Sequence, residues 1–140
     1  MNGSAPTSAE VGAFIDSVAG QRRTPAAVAG RLLEETVELA LSAGLSAAEI
    51  MGHISDALHN QSLKASKAQS KTVFPSQLSG DKGELPEECA DVGLVLKDLC
   101  HVAGVDLPTE EATKWVQFTK KSFRVSDSGT LYAVKPHILE

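Results

Sequence analysis

A chain of 140 residues, 42% hydrophobic and 22% charged, with a net charge of −5, has the composition of an ordinary globular protein. It is long enough to bury a core as one domain without disulfide or metal staples. Its acidic balance speaks against general nucleic-acid binding, which shows a basic surface, and no apolar run is long enough to span a bilayer.

The start of the chain, Met1 to Thr7, is small and polar and carries neither a basic nor an apolar leader segment, so a cytoplasmic location is expected. From there the pattern is helical almost throughout. Thr7 with Glu10 reads as a capping box that opens a first helix running to about Ala19. A second helix opens with Thr24 as N-cap and Pro25 at the first helical position. It runs to Ala43 and stops at Gly44. Ser46 with Glu49 is another capping box, and the third helix it opens reaches at least Leu58.

Residues 60–83 differ in character. They are rich in Ser, Lys and Gln, contain Phe74-Pro75, and end near Gly80 and Gly83. The first part can continue the third helix, and the rest reads as an inserted, mobile loop. A fourth helix is expected from about Pro86 to Val102, ending at Gly104. A fifth starts near Asp106 or Thr109 and is expected to carry Trp115, Phe118 and Phe123. The tail, 127–140, is an extended arm or holds a short strand in Gly129-Thr130-Leu131-Tyr132-Ala133-Val134. Cys89 and Cys100 would lie roughly 16 Å apart on the fourth helix, too far to pair, and are read as reduced, partly buried thiols. Trp115 is read as a core or interface residue rather than a base-stacking one. His53, His59, His101 and His137 show no ligand spacing with cysteine, and no glycine-rich phosphate loop precedes a helix.

Two acidic motifs stand out. Glu34-Glu35-Thr36-Val37-Glu38 lies inside the apolar run of the second helix, and Glu87-Glu88-Cys89-Ala90-Asp91 opens the fourth. With Glu34 at zero on a helical wheel, Glu35 falls at about 100° and Glu38 at about 40°, so all three share a sector. A solvated acidic face is the bland alternative. Against it, only Arg31 supplies positive charge nearby, and Glu34 and Glu38 form an unfavourable i,i+4 like-charge pair unless something neutralises it. On the fourth helix, Glu88 and Asp91 share a sector with Val95 and Val102, so that face is expected to point inward. Carboxylates at the mouth of a buried face are costly unless paired or metal-bound. A nest of oxygen ligands from two helices suits Mg²⁺.

Glu-Glu-x-x-Glu paired with Glu-x-x-Asp on two helices of a small all-α protein resembles the MazG-like nucleoside triphosphate pyrophosphohydrolases. That superfamily also holds the dimeric dUTPases and the phosphoribosyl-ATP pyrophosphohydrolases. The string Arg31-Leu32-Leu33-Glu34-Glu35-Thr36-Val37-Glu38-Leu39-Ala40 carries the likeness, which covers about Ala26 to Arg124. The resemblance implies an all-α bundle of about five helices, completed by association into a homodimer or homotetramer. It implies hydrolysis of a (deoxy)nucleoside triphosphate to the monophosphate and pyrophosphate, with Mg²⁺ (or Mn²⁺) as cofactor. By matching positions, Glu35, Glu38, Glu88 and Asp91 would hold the metal. Glu34 would be a further ligand or would support the ligands, and Glu34 and Glu35 are the catalytic candidates. Glu35 is favoured to orient or deprotonate the attacking water. The connection Leu39 to Glu87 is longer than in compact members. The basic stretch Lys120, Lys121 and Arg124 lacks the asparagine common there, although Lys and Arg suit triphosphate oxygens. Two other readings stand beside this one: phosphoribosyl-ATP pyrophosphohydrolase, with the same metal chemistry, and a non-catalytic helical oligomer acting by protein–protein contact.

Overall fold

The computed structural model describes residues 3–20, 23–80, 84–127 and 131–134. These form five α-helices, one short 3₁₀ turn and a two-stranded antiparallel hairpin. In chain order the helices are α1 (Ser8–Ala19), α2 (Pro25–Ser42), α3 (Ala47–Gln69), α4 (Leu85–Ala103) and α5 (Leu107–Phe118). The 3₁₀ turn, Pro75–Gln77, lies between α3 and α4, and the strands are β1 (Ser122–Val125) and β2 (Leu131–Val134). The protein is thus mostly helical, as expected.

Local sequence sets most helix ends. Thr7 and Glu10 form the expected capping box on α1, as do Ser46 and Glu49 on α3. In each, the hydroxyl accepts an otherwise orphaned backbone N–H and the glutamate reaches back to the cap. The Thr24 hydroxyl accepts from the Ala27 N–H at the start of α2, and the Asp106 carboxylate accepts from the Thr109 N–H at the start of α5. Helix α2 ends where Gly44 takes φ +104 and Leu45 N–H donates to the Ala40 carbonyl at 3.0 Å. Gly104 (φ +68) closes α4 in the same way, with Val105 N–H on the Cys100 carbonyl at 2.8 Å. A side chain is disfavoured at these left-handed positions, which is why glycine serves there.

The chain divides into two units, Met1–Leu32 with Pro86–Glu140, and Leu33–Leu85. The first is organised by aromatic packing. Phe14 of α1 meets Trp115 edge-on at 5.5 Å, Phe118 at 5.7 Å and Phe123 at 6.1 Å. Phe118 and Phe123 are 4.7 Å apart. Trp115 is therefore half-buried within this aromatic cluster. Arg23 folds back on α1 to pair with Asp16 at 3.4 Å.

Phe123 reaches that cluster from a strand, not from the fifth helix. Helix α5 stops at Phe118, where the Thr119 hydroxyl bonds back to the Trp115 and Val116 carbonyls. Lys120 and Lys121 make the turn into β1. Ser-Phe-Arg-Val then alternates exposed and half-buried positions, the two-residue period of a strand. The partner strand is the one suspected in the tail. Its register places Arg124 opposite Tyr132 and Phe123 opposite Ala133.

In the second unit α3 runs on to Gln69, so the front of the polar segment does continue the helix. Ser70 ends it in a left-handed conformation (φ 52). The chain then doubles back. Val73 N–H donates to the Ser66 hydroxyl at 2.8 Å, and Phe74 N–H donates to the Gln77 side chain at 2.9 Å. Val73, Ser62 and Ile50 are the buried side chains here. The segment after α3 is thus fastened to that helix at Val73. Among the described residues no helix is long and apolar enough to cross a membrane.

Candidate carboxylate site

Helix α2 presents Glu34, Glu35 and Glu38 on exposed positions of one regular helix, in the shared sector that 3.6-residue periodicity requires. Val37 and Ala40 are half-buried, whereas Leu32, Leu33, Leu39 and Leu41 remain 40–57% exposed. The carboxylates are thus set among open apolar side chains.

On α4, Glu87 and Glu88 occupy the first turn, where unpaired backbone N–H groups and the helix dipole favour negative charge. Asp91 follows one turn later and is exposed. The expectation that this face turns inward is corrected by the structure. The half-buried positions on α4 are Gly93, Leu96, Leu99 and Cys100. Leu94, Val95 and Val102 are 65%, 70% and 78% exposed. The Glu88–Asp91–Val95–Val102 stripe therefore faces outward in the single chain, because the α4 surface that this chain covers lies around Leu96 and Cys100. Cys89, expected to be partly buried, is exposed, and both cysteines are free thiols.

The first motif falls in the unit Leu33–Leu85, and the second falls in the unit that includes Pro86–Glu140. Among the described residues no group of three or more His, Cys, Asp or Glu side chains is gathered as a metal ion would require. Each motif taken alone still offers the hard oxygen donors that Mg²⁺ prefers. Two shallow grooves, of about 420 and 350 Å³, lie elsewhere. One is lined by Ser4, Ala5, Pro108 and Thr109, the other by Gln69, Lys71, Thr72 and Gln77, and neither includes a carboxylate.

The cationic candidates separate by position. Lys120 and Lys121 are exposed in the turn after α5. Arg124 is on β1, its guanidinium carbon 5.8 Å from the centre of the Tyr132 ring. The sequence reading places Tyr132 in a possible strand but gives it no role at the site. The signal for it is the strand-like Leu-Tyr-Ala-Val run, but only the strand register shows that it stands beside Arg124.

Comparison with protein-family models, with curated proteins and with solved structures finds no match to this chain.

Proposed function

We propose that this protein is a Mg²⁺-dependent nucleotide pyrophosphohydrolase of the MazG-like kind. It would convert a (deoxy)nucleoside triphosphate and water to the monophosphate and pyrophosphate, acting on a non-standard or surplus nucleotide of the cytoplasmic pool. The observation that carries this reading is the placement of the two carboxylate sets. Glu34, Glu35 and Glu38 are exposed in one sector of α2, and Glu88 and Asp91 are exposed in the first turns of α4.

Glu35, Glu38, Glu88 and Asp91 would hold Mg²⁺ (Mn²⁺ being the close substitute), with Glu34 supporting them. Bound Mg²⁺ supplies charge neutralisation at the triphosphate and a more acidic water. Without it, this many carboxylates would repel an anionic substrate. Glu35 would accept a proton from the water that attacks the α-phosphorus as the bond to the bridging α–β oxygen breaks. Lys120, Lys121 and Arg124 would take charge from the outer phosphates.

The open apolar stripes on α2 and α4 support association. Large exposed apolar patches on a folded chain mark interaction surfaces, and carboxylates beside such stripes become enclosed when a second copy covers them. A homodimer or homotetramer built by helix packing fits this pattern.

The test is pyrophosphate release with Mg²⁺ across a panel of NTPs, dNTPs and phosphoribosyl-ATP. Turnover of nucleoside triphosphates supports the reading. Exclusive turnover of phosphoribosyl-ATP replaces the substrate and keeps the chemistry. No turnover of any, with no Mg²⁺ binding, leaves a helical interaction protein.

A further inference from the structure

The outer face of the hairpin carries an aromatic side chain, Tyr132, that the proposed hydrolysis does not use. Phe123 turns toward Phe14 and Phe118, so the alternate residue Arg124 is on the opposite face of β1 and is exposed. The register sets Tyr132 directly across from it. Residues directly opposite in an antiparallel pair share a face, and the guanidinium lies over the ring at 5.8 Å. Tyr132 is 40% exposed. Lys120 and Lys121, both exposed, precede the strand. Three cations within five residues are notable in a chain of net charge −5. Among the described residues none of the three is in a salt bridge with a carboxylate.

Other aromatic groups do not offer this combination. Phe14, Trp115, Phe118 and Phe123 are engaged with one another. Phe74 is exposed, but among the described residues no cation lies over its ring. Among the described residues only Tyr132 joins an accessible aromatic surface to an unpaired cation. A guanidinium held over an accessible aromatic ring joins positive charge to a π-face on which a base can stack. Lys and Arg side chains are the natural partners of phosphate oxygens.

We propose that the Arg124–Tyr132 pair is a nucleotide platform, on which the base stacks while Lys120, Lys121 and the edge of Arg124 take the phosphates. The ligand class, a nucleoside triphosphate, rests on the pyrophosphohydrolase reading. A merely structural cation–π pair would brace the hairpin and be indifferent to the base, which is the distinction to measure.

The experiment compares binding of an α,β-methylene nucleoside triphosphate with that of inorganic tripolyphosphate, by calorimetry on the full chain with Mg²⁺. Amide shifts at Phe123 and Ala133 check the hairpin in each variant. Tyr132→Ala should weaken the nucleotide about tenfold, the scale of one lost base–aromatic stack, and leave tripolyphosphate within about twofold. Tyr132→Phe should restore nucleotide binding. Arg124→Gln should weaken both ligands. Equal losses for both ligands on Tyr132→Ala, no loss for either, or preferential binding of a single-stranded oligonucleotide over the nucleotide would overturn the platform. Pyrophosphate release measured on the same preparations separates the two ideas. Turnover without the base-dependent split removes the platform alone, and the split without turnover removes the hydrolase reading and keeps the platform.

Discussion

The Ser66 hydroxyl holds the backbone of Val73 seven residues later: it accepts the Val73 N–H at 2.8 Å and lies 3.3 Å from the Val73 carbonyl. It also donates to the Ser62 carbonyl at 2.8 Å. One side chain thus fastens the segment after α3 to the helix, and Val73 is buried as a result. Ser66→Ala leaves the Val73 N–H without its acceptor. Leaving a buried donor unsatisfied costs about 1–3 kcal/mol. The variant should melt at lower temperature, and amide exchange at Val73 should accelerate. Unchanged exchange at Val73 would mean that the clamp does not hold this segment.

The aromatic cluster should carry much of the stability of its unit. Phe14 touches Trp115, Phe118 and Phe123, so Phe14→Ala opens a cavity among three rings. Large-to-small changes of this kind cost about 3 kcal/mol when the ring is fully enclosed, and Phe14, being half-buried, should cost somewhat less. Trp115 is the sole tryptophan, so its fluorescence should shift to longer wavelength in the variant. An emission maximum identical to that of the parent would contradict the packing described.

Glu49 supplies a pH-dependent element. The backbone N–H of Ser46 donates to its carboxylate at 3.1 Å. That bond, then the Ser46 hydroxyl, then the nearby His53, hold its pKa below the ordinary glutamate value. Because the folded value lies below the unfolded one, this contribution is complete above the unfolded pKa and is lost as pH falls through the folded one. In an NMR titration Glu49 should protonate at lower pH than an unperturbed glutamate. Ser46→Ala should move it upward. A Glu49 midpoint that does not move in Ser46→Ala would remove the Ser46 hydroxyl as a cause and leave the backbone N–H of residue 46.

Light scattering tests assembly. Among the described residues Ile50 and Val73 are the buried apolar side chains, while Leu33, Leu41, Val92, Leu94, Val95 and Val102 are all more than half exposed. Helices so open gain from packing against a second copy. The expected mass at micromolar concentration is that of a dimer or tetramer, and a monomer mass would contradict it. In the oligomer Val95→Glu, which puts charge into the open stripe of α4, should shift the mass downward.

Sequence made the helices legible because their signals are local. Thr7 with Glu10, Ser46 with Glu49, Asp106, Gly44 and Gly104 each act within a few residues of the end they set, and no tertiary contact is needed to read them. Phe123 was misplaced on a helix because its position depends on Phe14, more than a hundred residues earlier in the chain. The return of the chain at Ser66 was hidden for a related reason. Its turn uses a left-handed serine, Ser70, where the usual signal would be glycine or asparagine. The five carboxylates were legible as residues on helix faces. The outward turn of the Glu88–Asp91 face was not, because an apolar stripe reads the same whether its own chain or another copy covers it.

Pyrophosphate release with Mg²⁺, compared between the parent and the Glu38→Gln and Asp91→Asn variants, tests the role of the two carboxylate sets most directly. Each substitution removes a charge from an exposed helix position and nearly preserves shape, so helix content by circular dichroism should hold. Added Mg²⁺ should raise the melting temperature of the parent, since a ligand that binds only the folded state stabilises it, and should raise that of the variants less. The expected result is Mg²⁺-dependent turnover in the parent and a loss of at least about tenfold in each variant, equivalent to about 1.4 kcal/mol in the barrier. Near-full turnover in either variant, with folding intact, would contradict the assignment of Glu38 and Asp91 to one metal-dependent site.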